Sequence, residues 1–474
     1  MIDGLKPYPA MKDSGVPWLG EVPEHWDVQR GKWLFRNKKE LNSNLRDTNI
    51  LSLTLRGVVN NDPDNPEGLV PKDYGTYQRF AMDDLVFKLI DLENLRTSRV
   101  GLVHEDGIMS PAYVRLVRTH SGVQRYFFQQ YFDLYQRGVF NQLGAGVRST
   151  LSASDLLEVP VLSPTVGEQA AIVRFLDHAD RRIRRYIRAK QKLIKLLEEQ
   201  KQALIHQAVT GRIDVRTGQP YPAYKNSGVE WLGEVPEHWE LMRVKQVARV
   251  LRGKFTHRPR NDPSLYDGQY PFIQTGEVAR AGKSITGFRQ TLNERGLAVS
   301  KLFPAGTLVM TIAANIGDVA ILDFEACFPD SVVGFVPDAR IERDFLYYLF
   351  VAMKPELLRE APINTQGNLN VDRIGARAIA VPPVPEQWAI VQAIESDCAS
   401  LTNAIGTAKR EITLLHEYRT RLIADVVTGK LDVREAAARL PDEGDELLPD
   451  AAEDESAPDE PADDLDALPE EAEA

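Results

Sequence analysis

The sequence predicts an α+β fold that is built twice within one chain. Residues 8–26 (YPAMKDSGVPWLGEVPEHW) and residues 221–239 (YPAYKNSGVEWLGEVPEHW) match at sixteen of nineteen positions, and we call these segments the opening motifs. Further matches join EQAAIV at 168–173 to EQWAIV at 386–391, and VTGRIDVR at 209–216 to VTGKLDVR at 427–434. Residues 8–216 and 221–434 are therefore two copies of one unit. Because the sequences between these matched ends diverge, we expect one scaffold that presents two different recognition surfaces.

The middle of each copy is rich in short β-like runs separated by Gly and Pro turns. Runs of apolar and β-branched residues predict buried strands at TNILSLTL (48–55), LVFKLI (85–90), TLVMTIAA (307–314) and SVVGFVP (331–337). Asp- and Pro-containing segments such as NDPDNP (61–66) and NDPS (261–264) are typical of turns.

A long helix is predicted to close each copy, over 164–212 in the first and 383–430 in the second. Gly211 and Gly429 lie where a helix commonly ends. Apolar residues follow a heptad spacing, which predicts a seam at Ile172, Leu176, Ala179, Ile183, Tyr186, Leu193, Leu197, Leu204 and Ala208, and at Ile390, Ile394, Leu401, Ala404, Ala408, Leu415, Tyr418, Leu422 and Val426. Neither helix buries its seam alone, so we expect the two to pack on each other. The alternative is that each helix docks on its own β-rich region.

Composition places the chain among soluble globular proteins with at least two domains. It has 474 residues with 43% hydrophobic and 26% charged residues, no apolar run near 18 residues, and no signal-peptide pattern, so a cytoplasmic protein without a membrane span is expected. Cys327 and Cys398 lack CxxC spacing and are predicted to be buried thiols. Residues 441–474 hold 16 Asp and Glu and no Lys or Arg, which is typical of a disordered acidic tail. Without that segment, 57 basic and 52 acidic residues leave a mildly basic body of formal charge +5.

Candidate catalytic motifs are weak. Glu21 and His25 in the first opening motif, repeated as Glu234 and His238, could suggest acid–base chemistry, but the flanking Pro and Trp residues favour a rigid packing segment. TGEVARAGKS (275–284) has five residues between its first glycine and the GKS triplet, where a Walker A motif has four, so we interpret it as a basic, Gly-rich loop. The sequence shows no metal-ligand cluster, no nucleophile elbow and no NPPY-like tetrad for base methylation. Catalysis by this chain alone is therefore not expected.

Clustered basic and polar residues in the two divergent middles predict a DNA-binding surface, since Arg and Gln make bidentate contacts to base edges and Lys and Arg contact phosphates. The candidates in the first copy are Arg56, Lys72, Arg79, Lys88, Arg96, Arg99 and Arg148. Those in the second copy are Arg252, Lys254, His257, Arg258, Arg260, Gln274, Thr275, Arg280 and Lys283, with Arg289 and Arg295 further along.

The stretch RRIRRYIRAKQKLIK (181–195) has eight Lys or Arg and no acid, whereas its second copy is nearly neutral. Either it is a solvated helix face or it binds phosphates or an acidic partner subunit. The candidate partner-docking residues are Arg181, Arg185, Arg188 and Lys192.

The duplicated SGVxWLGEVPEHW motif, FPAGTLVMTIAANIGDVAIL (303–322), TQGNLNVDRIGARAIAVPPVPEQ (365–387) and KLIKLLEEQKQALIHQAVTG (192–211) together resemble the specificity subunits of type I restriction–modification systems. The resemblance covers nearly all of residues 1–434. It implies two α/β target recognition domains joined by two long antiparallel helices with a pseudo-twofold repeat. It also implies that each domain reads one half of a split, asymmetric DNA target, while the helices set the spacing and dock methyltransferase subunits.

On this resemblance the chain divides into seven segments: opening motif 1–26, recognition domain 27–163, helix 164–212, linker and second opening motif 213–239, recognition domain 240–382, helix 383–430, and acidic tail 431–474. No cofactor is expected on this chain. The implied partners are double-stranded DNA, two methyltransferase subunits that carry S-adenosylmethionine, and restriction subunits that use ATP and Mg. Three alternatives stay open: a specificity subunit of a methylation-only complex, a coiled-coil adaptor that does not bind DNA, and a self-contained methyltransferase or nuclease.

Overall fold

A computed structural model describes residues 5–54, 57–62, 73–90, 92, 99–143, 150–313, 315–360, 369 and 371–441 of the chain. These residues form two compact units. Unit 1 holds the described residues up to Ala189 together with those from Glu411 onward, and unit 2 holds Lys190–Arg410. Each unit therefore contains one opening motif, one divergent middle, and parts of both long helices.

The first half of the chain has twelve strands and four α-helices among its described residues. The strands are β1 (Met11–Asp13), β2 (Glu21–Pro23), β3 (Asp27–Arg30), β4 (Phe35–Asn37), β5 (Leu51–Thr54), β6 (Gly57–Asn60), β7 (Gln78–Phe80), β8 (Leu85–Phe87), β9 (Val100–Leu102), β10 (Gly107–Met109), β11 (Val114–Arg118) and β12 (Pro160–Ser163). The helices are α1 (Gln124–Gln136), α2 (Val139–Leu143), α3 (Ala153–Glu158) and α4 (Val166–Val209).

The second half adds thirteen strands and seven helices within the described ranges. The strands are β13 (Tyr224–Asn226), β14 (Glu234–Pro236), β15 (Glu240–Arg243), β16 (Ala248–Arg252), β17 (Tyr266–Phe272), β18 (Ser284–Ile285), β19 (Gln290–Leu292), β20 (Leu302–Phe303), β21 (Leu308–Thr311), β22 (Val319–Leu322), β23 (Ala326–Cys327), β24 (Val332–Pro337) and β25 (Ala378–Val381). The helices are α5 (Val244–Val247), α6 (Thr275–Arg280), α7 (Glu294–Val299), α8 (Arg343–Glu360), α9 (Val371–Ala376), α10 (Val384–Val427) and α11 (Arg434–Ala438).

Unit 1 is built on an antiparallel sheet with strand order β4-β11-β8-β9. Aromatic side chains from β4, β8 and α1 form its core. The Phe35 ring lies 5.4 Å from that of Phe127, and the Phe87 ring lies 5.1 Å from that of Tyr131, both edge-on. Edge-to-face contacts of this kind stabilise a core beyond the area they bury. The predicted strand at 85–90 is β8 of this sheet, and the predicted strand at 48–55 is β5, which pairs with β6 in a separate two-stranded sheet.

The two largest sheets of unit 2 are a five-stranded one in the order β16-β24-β21-β22-β18 and a four-stranded one in the order β19-β17-β23-β20. Strands β21 and β22 are buried along their whole length, which is why their sequences LVMT and VAIL are continuously apolar. The predicted strands at 307–314 and 331–337 are confirmed as β21 and β24. Cys327 and Cys398 are buried free thiols, as predicted.

The opening motifs are packing segments in both units. Each forms a hairpin, β1 with β2 and β13 with β14, and each ends in a fully buried tryptophan, Trp26 or Trp239. A Cβ added at Gly429, which ends α10, would lie 2.3 Å from Pro23 Cδ. The same holds at Gly211, which ends α4, where the distance to Pro236 Cδ would be 2.4 Å. Both glycines have positive φ, so each helix end closes tightly on a proline of an opening motif.

The two long helices are confirmed, at 44 residues each, and at about 1.5 Å rise per residue each is roughly 66 Å long. In unit 1, Arg419 Nε lies 2.5 Å from Asp180 Oδ1. In unit 2, Lys201 Nζ donates to Thr402 Oγ1 at 3.1 Å, and Lys409 Nζ lies 3.9 Å from Glu198 Oε1. As the residue number in α4 rises, the number of the residue that it contacts in α10 falls. The two helices therefore pack antiparallel on each other. This arrangement favours the paired-helix prediction over separate docking.

The predicted seam is wrong in the middle of both helices. Tyr186 and Leu193 are exposed, and Ile187 is buried instead. In α10 the predicted Ala404 is exposed, and the neighbouring Ile405 is buried. Each actual seam contains two successive steps of four residues, Ala179–Ile183–Ile187 in α4 and Ile390–Ile394–Cys398 in α10. A strict heptad drifts about 20° per repeat from a straight 3.6-residue helix, and an extra four-residue step corrects this drift.

Two further expectations differ from the structure. The acidic tail does not begin at 431, because residues 431–441 belong to unit 1, where Asp432 N donates to Lys6 O at 2.8 Å and α11 follows. The segment 275–284 is not all loop, since its first six residues form α6. The rest of the predicted tail, residues 442–474, lies outside the described residues. In the part of the chain that the structure describes, no helix is long and apolar enough to cross a membrane.

Candidate nucleic-acid interface

A loop between β16 and β17 presents most of the basic candidates of unit 2. Backbone bonds fix its start, since Gly253 N donates to Val332 O and Lys254 N donates to Phe328 O, both at 3.0 Å. A Cβ at Gly253 would lie 2.0 Å from Pro329 O, so this close approach requires glycine. Phe255 is buried with its ring 5.0 Å from that of Phe272. The apolar anchor and the fixed backbone together hold the loop's polar residues on the surface.

Four basic side chains at the end of β16 and in this loop are exposed, but they differ in their partners. Arg252 and Lys254 make no ion pair with any residue that the structure describes. The guanidinium of Arg258 donates to the carbonyls of Phe255 and His257, both at 2.9 Å. Arg260 Nη2 lies 2.5 Å from Asp330 Oδ1, and Arg258 Nη2 lies 3.7 Å from the other oxygen. Arg252 and Lys254 are therefore the better candidates for phosphate contacts, whereas Arg260 is held in a defined position.

His257 has a structural partner. Its Nε2 lies 3.0 Å from Asp262 Oδ2, while Asp262 Oδ1 accepts from Ser264 N at 3.0 Å. Hydrogen bonds from Ser264, with a smaller effect of His257, lower the pKa of Asp262. Asp262 therefore stays charged at neutral pH and fixes the turn that leads into β17. This turn confirms the interpretation of NDPS (261–264).

A cleft of about 250 Å³ lies beside Arg260. It combines aromatic walls with polar side chains of the kind that can accept or donate hydrogen bonds to bases. Its lining residues are Phe255, Arg260, Tyr266, Phe272, Gln274, Thr275, Ala313, Pro329 and Ser331. The exposed Gln274 comes immediately before α6, and its Nε2 donates to Gln290 Oε1 at 2.5 Å. The cleft thus places a guanidinium, an amide and a hydroxyl together.

Arg280 and Lys283 lie apart from this cleft in ion pairs of their own. Arg280 Nη2 lies 3.2 Å from Glu277 Oε1 within α6. Lys283 Nζ lies 2.8 Å from Asp344 Oδ2 on α8 and also contacts Glu395 on α10. Burial opposes the charge of Lys283, but the bonds to Asp344 and Glu395 raise its pKa. We interpret Lys283 as a residue that attaches the sheet edge to the helices.

Of the unit 1 candidates, three lie in described residues. Arg79 is partly exposed, with Nε 2.6 Å from Asp47 Oδ2 and a further bond to Asn44. Lys88 is partly buried. Arg99 is 0% exposed, so burial removes it from any surface that meets DNA and its prediction as a contact is not supported. Arg56, Lys72, Arg96 and Arg148 lie outside the described residues.

The sequence did not point to Asp330 or Gln290 as parts of the interface. Asp330 is 70 residues from Arg260, and Gln290 is 16 residues from Gln274. Both are ordinary surface residue types on separate loops and strands. The pairing of β17 with β19 and β23 places them next to Arg260 and Gln274, which line the cleft, so no sequence signal could have found them.

A polar cluster, repeated in both units, explains the acid and histidine of the opening motifs. In unit 2, Glu386 in the first turn of α10 accepts from Tyr221 Oη at 2.6 Å, from Trp239 Nε1 at 3.2 Å, and lies 2.9 Å from His238 Nε2. In unit 1, Glu168 accepts from Tyr8 Oη at 2.7 Å and lies 3.1 Å from His25 Nε2. The histidines thus pair with a glutamate of a long helix and not with Glu21 or Glu234. This arrangement supports the packing interpretation.

Glu386 should stabilise unit 2 more than Glu168 stabilises unit 1. In E386Q a single amide oxygen must serve three donors, whereas in E168Q it serves two, because Trp26 Nε1 bonds to no described residue. A buried donor without an acceptor costs about 1–3 kcal/mol. We expect E386Q to lower the free energy of unfolding by about 1–2 kcal/mol, and E168Q by less. Hydrogen exchange at neutral pH measures the effect, on unit 2 amides in E386Q and on unit 1 amides in the matched control E168Q. Equal loss of protection in the two variants would contradict the expectation.

The pH dependence of E386Q provides a second check. Burial raises the pKa of Glu386, but hydrogen bonds from Tyr221, His238 and Trp239 outweigh it and lower the pKa overall. A lowered folded-state pKa means that the unfolded chain binds the proton more tightly. The contribution of Glu386 is therefore present above its ordinary pKa and is lost as the pH falls through the folded-state value. E386Q should lose this part of the acid sensitivity.

Comparison with known proteins agrees with this geometry. Residues 236–412 match the family model described as type I restriction modification DNA specificity domain. The match runs from the second opening motif into α10. The resemblance inferred from the duplicated motifs is thereby confirmed, and the matched residues include both the exposed basic loop and the cleft. Within the described residues, no group of three or more His, Cys, Asp or Glu side chains is placed to hold a metal ion.

Two relatives and one solved structure extend the comparison. The chain is 23% identical over 209 residues, 42% of its length, to a protein of Methanocaldococcus jannaschii named as the MjaX specificity subunit of a type I restriction enzyme. It is 25% identical over 127 residues, 25% of its length, to the MjaIX specificity subunit of the same organism. The matches span 47% and 28% of these relatives. A chain solved in a study of assembly and conformational transition of the type I R-M system superposes with a TM-score of 0.62 at 15% identity, covering 86% of this chain and 99% of that one. The α+β fold class with two long helices is confirmed.

Proposed function

We propose that this chain is the DNA-sequence-specificity subunit of a type I restriction–modification complex. Each divergent middle reads one half of a bipartite, asymmetric target, and the paired helices set the distance between the half-sites. The observation that carries the proposal is the match of residues 236–412 to the specificity-domain model, because these residues include the basic loop between β16 and β17 and the cleft. The matched descriptions name DNA specificity and no catalytic activity, which agrees with a recognition subunit.

In this proposal the chemistry belongs to partner subunits. Methyltransferase subunits would bring S-adenosylmethionine, and restriction subunits would bring ATP and Mg, while this chain supplies sequence discrimination. A complex that only methylates DNA would use the same recognition surface. A coiled-coil adaptor that does not bind DNA is disfavoured, because the exposed side chains of Arg252 and Lys254 make no ion pair in the described residues, and Phe255 and Arg260 just after them line a polar cleft. Cytoplasmic location follows from this function as part of the proposal.

A mobility-shift assay with and without methyltransferase subunits separates these functions. A specificity subunit should shift bipartite-target DNA, most strongly when the methyltransferase is present. An adaptor should bind the methyltransferase without any gain in DNA affinity. A self-contained enzyme should modify or cleave DNA when it is incubated alone with cofactor.

The duplicated frame also predicts the stoichiometry of the complex. Each unit carries the same hairpin, buried Trp and Tyr–Glu–His cluster at the start of a long helix, so each should offer an equivalent docking surface. We expect two methyltransferase subunits per chain. Native mass spectrometry should show a second binding step, and a saturated one-to-one complex would overturn the prediction.

A further inference from the structure

A compact arginine face lies on α4 within unit 1. Five arginines occupy eight successive positions, Arg181, Arg182, Arg184, Arg185 and Arg188, and all five are exposed. Ile183 and Ile187 between them are buried and hold the helix in place. The five charges fall within about 10 Å along the helix axis. Arg184 Nε also donates to Asp180 at 2.8 Å, so one local carboxylate offsets part of this charge.

The described chain ends beside this face. Arg174, on the same helix, donates through Nη2 to Leu440 O at 2.9 Å and to Pro441 O at 3.1 Å. Arg174 precedes Arg181 by seven residues, which is about 10 Å along α4. The acidic segment that follows Pro441 therefore starts two helical turns from the first arginine of the face.

The length and charge of that segment match the face. Residues 442–474 carry 16 Asp and Glu, and Asp442, Glu443, Asp445, Glu446 and Asp450 fall within the first nine positions. An extended chain advances about 3.3 Å per residue, so roughly seven residues cover the 21 Å from Arg174 to Arg188. A short tether of this kind gives an effective concentration of about a millimolar. The carboxylates of this segment can thus reach the guanidiniums of Arg182, Arg185 and Arg188 without any rearrangement of unit 1.

We propose that segment 442–474 docks through its carboxylates on the arginine face of α4, residues 181–188. The segment then acts as a built-in polyanion that covers arginines predicted to dock a partner. A nucleic acid or an acidic subunit has to displace it before reaching this part of the helix. The docking does not depend on the proposed function, whereas its consequence for partner binding does.

Zero-length cross-linking on the full-length chain tests the contact. Carbodiimide joins carboxylates to amines, so Arg182→Lys and Arg185→Lys introduce reactive groups and keep the positive charge. Arg36→Lys and Arg118→Lys, at exposed positions on β4 and β11 of the same unit, form the matched control. Mass spectrometry should find links from positions 182 and 185 to residues 442–474, at least fivefold more abundant than from positions 36 and 118. These links should disappear near 1 M NaCl, where the screening length is about 3 Å. Equal linkage at both pairs of positions, or none at 182 and 185, would overturn the proposal.

A binding cycle on full-length chains gives an independent measure. The probe is a fluorescein-labelled heparin oligosaccharide, followed by anisotropy at low salt. Replacing Asp442, Glu443, Asp445, Glu446 and Asp450 by Asn or Gln should tighten probe binding several-fold. The same replacement should give no gain when Arg182, Arg185 and Arg188 are already changed to Gln. An equal gain on both backgrounds would show that the acidic segment covers another surface. Because the probe is neither target DNA nor a methyltransferase, failure here is distinguishable from failure of the proposed function.

Discussion

Replacing Arg252, Lys254, Arg258 and Arg260 by alanine should weaken DNA binding strongly on every sequence, and any loss of base preference should be confined to the second half-site. Log affinity falls with log salt in proportion to the number of phosphates neutralised, by about 0.9 per phosphate. Loss of four contacts would flatten this slope by up to about 3.6. Removing Arg258 and Arg260 also leaves Asp330 without their compensating charge, which adds repulsion toward the DNA backbone. Titrations at several salt concentrations, on target and non-target duplexes, measure both effects.

Two partial variants separate phosphate contacts from base contacts. Arg252→Ala with Lys254→Ala should weaken binding uniformly across sequences, because these side chains are exposed and unpaired within the described residues. Arg260→Lys keeps the charge at the cleft but loses the planar fork that can make a bidentate contact with guanine. If Arg260 contacts a base, its preference at one position should relax by about 1–3 kcal/mol. Discrimination in the half-site read by the first copy should persist in every variant, and its selective loss would refute the assignment of half-sites to the two middles.

Lengthening both long helices by one heptad should widen the gap between the half-sites. Because α4 and α10 pack antiparallel, the insertions must match, one after Leu197 and one after Lys409, where Lys409 pairs with Glu198. Seven residues add about 10 Å, which is close to three base pairs of B-DNA. The bases of each half-site should stay the same while the gap grows by about three.

The control for this prediction is a heptad inserted into α4 alone. This insertion should disrupt the packing of α4 on α10 and reduce DNA methylation by the complex. The reason is that every later contact of α4 with α10 shifts by two helical turns. Methylation motifs of the folded, active double insert give the readout. An unchanged gap in that variant would show that the helices do not set the spacing.

The sequence predicted those features that depend on local pattern and on repetition. The helix bounds of 164–212 and 383–430 differ from α4 and α10 by three residues or fewer, since glycine caps and apolar periodicity mark them. The seam failed at Tyr186 and Ala404, because a strict heptad ignores the drift of a straight helix, and the neighbouring Ile187 and Ile405 are equally apolar candidates.

The candidate interface was predicted less well than the duplicated opening motifs and long helices. Residue type alone could not show that Arg99 is buried or that Lys283 pairs with Asp344 and Glu395, which lie 61 and 112 residues away. His25 and His238 were considered together with Glu21 and Glu234 of the same motifs, yet their partners are Glu168 and Glu386. Burial and long-range ion pairs are consequences of tertiary packing. A single sequence indicates them only where a repeated motif marks the same position twice.

Adenine methylation mapped at base resolution in a host with and without this gene, in the presence of the methyltransferase subunit, tests DNA specificity most directly. We expect a methylated motif with two short half-sites separated by a fixed gap, present only when this chain is expressed, and relaxed in the second half-site alone by the four-residue loop variant. Methylation that is identical with and without the chain would contradict its assignment as the subunit that selects the target.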